Sequence, residues 1–172
     1  MATILIHMIQ FRLTLISFLQ FFIWGSWLIT IGAFWFENKH WGPAEFGAIF
    51  STMGISALFM PALTGVIADR YMRAERLYGL LHVCGAVGLW FIPFAESPSD
   101  MFWRILITMI FYMPTISLSN TVSYSILSQT DGIDVVKTFP KIRVWGTVGF
   151  IIAESLISLT NHETSAFQFQ LA

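Results

Sequence analysis

The chain has 172 residues, of which 56% are hydrophobic, 16% aromatic and only 11% charged. A soluble globular domain carries about 25% charged residues because its surface faces water, so this composition excludes a soluble domain. The net charge of -1 argues against nucleic acid as a partner, since phosphate binding requires clustered positive charge. The single cysteine excludes an intramolecular disulfide and a multi-cysteine metal site.

Long uncharged blocks predict an all-α membrane protein. A hydrocarbon core of about 30 Å requires roughly 20 apolar residues in a helix, and four blocks reach this length, at 13–36, 46–68, 77–95 and 105–130. A fifth block begins near Val144 and is interrupted only by Glu154. We therefore predict five transmembrane helices at about 11–36, 44–68, 77–95, 102–128 and 135–160, and the start of a sixth span at 161–172.

The start of the fifth span admits two interpretations. Asp134 is a suitable helix N-cap, which makes Pro140 a kink inside a long helix. Alternatively, Pro140 lies in the first turn and begins a shorter helix. We favour the longer helix, in which Arg143 is about nine residues, or roughly 13 Å, from the start. At that depth an arginine should face a water-filled cavity, whereas in the shorter helix it would extend to the lipid headgroups.

Basic residues predict how the spans are oriented in the membrane, and the tail at 161–172 bears on whether the chain is a whole protein. One side of the predicted spans carries Arg12, Arg70, Arg73, Arg76, Lys137 and Lys141, and the other carries Lys39 and Arg104. Because cytoplasmic loops retain Lys and Arg, we expect a multi-pass protein with a cytoplasmic N-terminus. An odd number of spans with a half-apolar tail is typical of a truncated polytopic protein; the alternative is a five-span protein with a short external tail.

The fifth span carries polar residues on one helical face. Arg143, Thr147, Phe150 and Glu154 are spaced 4, 3 and 4, which places them one above another. The arrangement combines a cation, a hydroxyl, an aromatic ring and a carboxylate. Glu154 is a candidate proton carrier, although it also fits a position at the external interface.

Two other spans show similar stripes. The first has Ser17, Gln20, Trp24 and Trp27, and the fourth has Ser117, Asn120 and Tyr124. Each stripe alone is compatible with interhelical hydrogen bonding. Three stripes in five spans favour a shared polar cavity, and rings with amides and an arginine suit a flat, polar, uncharged ligand such as a nucleobase with its sugar.

Other polar residues carry weaker signals. His82 lies in the middle of the third span and is a candidate proton relay, although a neutral histidine bonded within the bundle is the favoured interpretation. The sequence lacks nucleophile–base pairs, phosphate loops and metal-ligand clusters. It therefore predicts no enzyme activity, no cofactor and no metal site.

Several segments of the sequence resemble those of a known protein family. Gly65, Asp69, Arg70 and Arg73 are similar to the loop between the second and third helices of major facilitator transporters, although Met72 stands where a second glycine is usual. More specific segments resemble the amino-terminal half of bacterial nucleoside–proton symporters. These segments are 17–28 (SFLQFFIWGSWL), 59–63 (FMPAL), 112–115 (YMPT) and 139–150 (FPKIRVWGTVGF).

The resemblance implies the N-terminal six-helix bundle of a twelve-helix transporter that moves nucleosides inward with protons. It also implies that Arg143, Thr147 and Phe150 line the nucleoside cavity. Gln20, Trp24 and Asn120 complete our predicted substrate-binding set. Further site residues, including the coupling carboxylate, are expected in a C-terminal half outside this chain, and Asp69 is expected to meet a helix of that half.

Two alternatives remain open on the sequence. The substrate of a related symporter could be another small polar solute such as a sugar. The chain could also be a non-transporting membrane fragment or packing subunit, whose partners would be the lipid bilayer and other helices.

Overall fold

The computed structural model describes residues 2–172, with side chains from Ile4 onward, and this part of the chain is built from helices. The helices are α1 (Ala2–Gly25), α2 (Ile31–Ala33, continued by a π-helical turn, Phe34–Asn38), α3 (Phe46–Arg70), α4 (Ala74–Phe91, continued by a 3-10 turn, Ile92–Phe94), α5 (Pro98–Ser128), α6 (Val135–Leu159) and α7 (Phe167–Leu171). Within the described residues, α1, α3, α4, α5 and α6 are long and apolar enough to cross a membrane. The predicted all-α class with five spans is confirmed.

The first span differs from the predicted 11–36 helix. The structure begins α1 at Ala2 and ends it at Gly25, and residues 26–30 form turns before α2. Gly25 has low helix propensity, and the Ser26 hydroxyl donates to the carbonyl of Ile23 at 2.8 Å, which competes with helical bonding. Uncharged composition cannot separate a turn from a helix, so the prediction merged α1 with α2.

The fifth span has the longer form. α6 begins at Val135, and the carboxylate of Asp134 accepts a hydrogen bond from the Lys137 amide at 3.2 Å. This N-cap satisfies one of the amides that the first helical turn leaves unpaired. Pro140 therefore lies inside the helix, and Arg143 is located in its third turn.

Helix α6 packs directly against α1 through glycines. A Cβ at Gly149 would lie 2.3 Å from the carbonyl oxygen of Phe18, and a Cβ at Gly25 would lie 2.2 Å from that of Phe150. The two backbones are thus in contact, which small residues permit in membrane helices. On the other side of the molecule, α5 packs against α3 and α4.

A core of aromatic and aliphatic side chains joins the turns after α1 to α7. Trp27, Trp35 and Phe169 are each at most 1% exposed, and Phe169 contacts Trp27 and Phe34. Next to Phe169 in the chain, Gln168 accepts at Oε1 a hydrogen bond from the Thr30 hydroxyl at 2.8 Å. The segment at 161–172 therefore packs against the broken end of the first span.

Candidate ligand-binding face

The guanidinium of Arg143 lies over an aromatic ring rather than beside a carboxylate. Its central carbon is 4.0 Å from the centroid of Phe21 on α1. Gly146, one turn further along α6, leaves the room for this: a Cβ there would be 2.8 Å from Nη1 of Arg143 and 2.7 Å from Phe21. The cation–π contact fixes the side chain while its N–H groups form no hydrogen bond with another described residue.

The other residues of the α6 stripe lie in the same continuous helix as Arg143, so the predicted spacing places them on one face. Thr147 is exposed, and Phe150 and Glu154 are half-buried. None of these three side chains hydrogen-bonds to another part of the chain that the structure describes. The stripe therefore presents an unpaired cation, hydroxyl and carboxylate with one ring.

Asn120 on α5 shares a small cleft with Arg143. Polar side chains of Ser17, Ser119 and Ser123 also line this cleft, whose volume of about 10 Å³ is of the order of one water molecule. Ser17 donates to the backbone carbonyl of Arg143 at 3.3 Å. The structure thus brings together Ser17, Asn120 and Arg143, one residue from each predicted stripe, whereas Ser117 bonds within its own helix and Tyr124 packs on Phe139.

Gln20 is occupied by protein partners. It is 1% exposed, and its amide nitrogen donates to Thr115 Oγ1 at 2.8 Å while its amide oxygen accepts from the Tyr78 hydroxyl at 2.8 Å. The Tyr112 hydroxyl donates to its backbone carbonyl. In this arrangement Gln20 links α1 to α4 and α5, and both polar atoms of its amide already have protein partners.

Trp24 carries an unpaired buried donor. Its ring packs 6.2 Å from Phe21 and 5.8 Å from Tyr112, and its Nε1 is shielded from solvent without a described hydrogen-bond partner. Trp27 does not extend this stripe, because the helix ends at Gly25 and Trp27 is buried in the core. The expectation of two indoles on one side is therefore wrong for Trp27.

His82 is bonded within its own helix. Its Nδ1 lies 2.9 Å from the carbonyl oxygen of Tyr78, and the two rings are 4.3 Å apart. A carbonyl only accepts, so Nδ1 carries the hydrogen in the neutral ring and Nε2 is left as an acceptor. Both residues and Gln20 line a cleft of about 360 Å³ between α1, α4 and Leu171.

The predicted conformational loop is short and exposed. α3 ends at Arg70, and Arg73 forms the N-terminal boundary of α4. Asp69 is exposed, and Arg73 makes a solvent-accessible ion pair with Glu75 at 3.4 Å. A Cβ at Gly65 would meet nothing within 4 Å, so this end of α3 has an open surface.

Sequence reasoning missed several residues of this region. Phe21 is spaced 4 and 3 from Ser17 and Trp24, so the helical pattern could have identified it. Tyr78, Tyr112 and Thr115 bond to Gln20 across 58 to 95 positions, and no local pattern reports such pairings.

The five apolar helices define a multi-pass membrane protein with a polar face where α1, α5 and α6 meet. The chain belongs to the nucleoside H+ symporter family, whose pattern matches residues 7–172. It is 47% identical over 164 residues to xanthosine permease and 44% identical over 163 residues to nucleoside permease NupG, both of Escherichia coli strain K12.

The fold agrees with this relationship. The chain superimposes on the crystal structure of nucleoside transporter NupG with a TM-score of 0.90 and 44% sequence identity, covering 95% of this chain and 40% of that one. NupG and the other relatives are transporters by name, and the bundle has the major facilitator architecture that the resemblance implied. In sequence, this chain spans 39% of the length of the xanthosine and NupG permeases.

Proposed function

We propose that this chain forms the N-terminal half of a symporter that takes up nucleosides with protons across the bacterial inner membrane. The observation that carries the proposal is that Arg143 shares a cleft with Asn120 and lies over the Phe21 ring, which packs against Trp24. The polar groups of Arg143, Asn120 and Trp24 have no hydrogen-bond partner among the described residues. Unpaired donors around aromatic rings suit a ligand that is flat and rich in acceptors. The names of the relatives, which include a xanthosine permease, support a nucleoside as that ligand.

Five residues have complementary tasks in this proposal. The nucleobase stacks on Phe150 or Trp24. Arg143 and Asn120 donate to base or ribose oxygens, and Thr147 contributes a hydroxyl. Gln20 acts indirectly, because its bonds to Thr115 and Tyr78 hold α1 against α5 and α4 and so position Trp24 one turn away.

Transport requires that the bundle move against a second one. In major facilitator transporters two halves rock about a central site, and we propose that a C-terminal half faces α1, α5 and α6 here. The segment from the end of α3 to the start of α4, with Gly65, Asp69, Arg70 and Arg73, then touches that half in one of the two states. Its exposed carboxylate and guanidinium groups are available for such contacts.

The group that carries the coupled proton is placed outside this chain in our proposal. Glu154 is half-buried on the binding face and His82 uses Nδ1 within its helix, so both remain weak candidates. A coupling group must be able to exchange a proton between the cavity and either side of the membrane. We therefore propose that the coupling carboxylate lies in the C-terminal half.

Uptake of labelled uridine and xanthosine by the full-length protein tests the site. We expect Arg143→Ala to lower kcat/KM at least tenfold, because a charged hydrogen bond contributes about 1.5–3 kcal/mol. Lys141→Ala is the matched control, since it removes an exposed cation two residues away on the same helix. Equal uptake by the wild type and Arg143→Ala would show that this face does not bind the substrate.

Competition separates the substrate classes. Excess unlabelled nucleoside should abolish uptake, while an excess of free ribose or another sugar should leave it unchanged. Inhibition by sugars alone would support a different small polar solute.

A further inference from the structure

A second candidate site lies on the outer surface, away from the binding face. α4 and α5 enclose an apolar groove of about 400 Å³ that is lined by Val83, Val87, Phe91, Ile107 and Phe111, with Arg104 at one end. Ligand pockets in proteins commonly measure about 300–1,000 Å³. We propose that this groove binds one phospholipid of the ethanolamine type, with an acyl chain in the groove and the phosphate on Arg104.

The floor of the groove is formed by a close helix contact. A Cβ at Gly88 would lie 2.4 Å from Oγ1 of Thr108, so α4 and α5 touch there and a channel is left along their seam. Val83, Val87 and Ile107 on its walls are 63%, 54% and 52% exposed. These side chains are uncovered in the described part of the chain, and on a membrane-spanning helix such a surface meets acyl chains.

Aromatic residues place the charged end of the groove at the headgroups. Trp90 and Trp103 are both more than half exposed and flank the hairpin that joins α4 to α5. Tryptophan is enriched where the membrane meets water. From Phe91 down to Val83 the groove follows eight residues of α4, about 12 Å, which is close to one leaflet of a hydrocarbon core about 30 Å thick.

Arg104 is held so that part of its guanidinium remains free. Nε donates to Asp100 Oδ1 at 2.8 Å and Nη1 donates to the Phe91 carbonyl at 3.0 Å. The other terminal nitrogen, Nη2, has no acceptor among the described residues. A planar guanidinium fixed on one edge and open on the other matches a phosphate oxygen.

The charges around Arg104 favour a zwitterionic headgroup. Asp100 already balances the guanidinium. Lys39, whose Nζ donates to the carbonyls of Pro93 and Ala95, and the exposed Glu96, which forms no ion pair with another described residue, add one cation and one carboxylate at the same hairpin, so the local formal charge is zero. The surface thus offers a donor for phosphate and a carboxylate for an ammonium group. An anionic headgroup such as phosphatidylglycerol would satisfy only the first.

Native mass spectrometry of the purified full-length protein tests the site. With phosphatidylethanolamine added, we expect one tightly retained lipid, with at least fivefold lower occupancy in Arg104→Gln and partial rescue in Arg104→Lys. Arg76→Gln, which removes a cation from the opposite end of α4, should retain the lipid. Equal occupancy in the wild type and Arg104→Gln would overturn the site, and tighter retention of phosphatidylglycerol would overturn the ethanolamine assignment.

A second variant separates lipid loss from misfolding. Ile107→Trp fills the groove from an exposed position and keeps every bond of Arg104, so it should lose the lipid while eluting as a monodisperse protein. The proposal is wrong if Ile107→Trp fails to fold and added lipid changes neither the occupancy nor the monodispersity of any variant. In that case a protein helix, and not a lipid, covers the groove.

Discussion

Arg143 is held at the proposed binding face without an ionic partner among the described residues. Its guanidinium is stabilised by the Phe21 ring 4.0 Å away and has no carboxylate within salt-bridge distance among the described residues. A carboxylate partner would compete for the N–H groups, whereas a ring leaves them free. The arginine is therefore positioned and still able to bind a ligand.

Replacing the ring should weaken substrate binding. We expect Phe21→Leu to raise the KM of nucleoside uptake about two- to thirtyfold, because a cation–π contact contributes roughly 0.5–2 kcal/mol and 1.4 kcal/mol corresponds to a factor of ten. Phe22→Leu, which removes a ring that stacks on Phe18 instead, serves as the control. Equal KM values for the two variants would mean that the ring does not position Arg143.

Gln20 should matter for stability more directly than for binding. Gln20→Leu leaves the Tyr78 hydroxyl and one acceptor site of Thr115 without their partner, and an unsatisfied buried polar group costs about 1–3 kcal/mol. We expect the free energy of unfolding in detergent to fall by about that amount. Gln10→Leu, at a half-buried position of α1 that forms no described side-chain hydrogen bond, should change it by no more than about 0.5 kcal/mol.

At the scale of the helices, α1 and α6 behave as one packed unit. Gly146 lies against Ser17 and Phe21, Gly149 lies against the backbone of Phe18, and Gly25 lies against the backbone of Phe150. The end of α1 at Gly25 then directs the chain away into α2 and its π-helical turn. The binding face consequently depends on the distance between two helices as much as on its own side chains.

Glycine substitutions test this dependence. Gly149→Ala places a methyl group 2.3 Å from a backbone oxygen, so the helices must separate, and we expect lower thermal stability together with loss of uptake. Gly79→Ala is the control: a Cβ there meets nothing within 4 Å, and alanine should stabilise the interior of α4 by up to about 1 kcal/mol. Matching effects of the two substitutions would contradict the close contact.

For the whole molecule, the hydropathy pattern predicted the features that depend on composition and residue spacing. Five spans and the face of Arg143, Thr147 and Phe150 followed from block lengths and helical spacing, because lipid imposes both. The break after Gly25 was missed, since apolar turns look the same as apolar helix. The bonds of Gln20 to Tyr78 and Thr115 were also missed, because they depend on how distant segments pack.

The orientation is the remaining property of the whole molecule, and it rests on basic residues. Arg12 lies near the middle of α1, whereas the other basic residues lie in a loop or within about two turns of a helix end. Without Arg12 there are five cations against two, and the bias still predicts a cytoplasmic N-terminus. Ser99 and Ser128 are exposed near opposite ends of the 31-residue helix α5. In a Cys84→Ser background, an impermeant maleimide should label Ser99→Cys in intact spheroplasts and Ser128→Cys only after permeabilisation; the reverse pattern would invert the orientation.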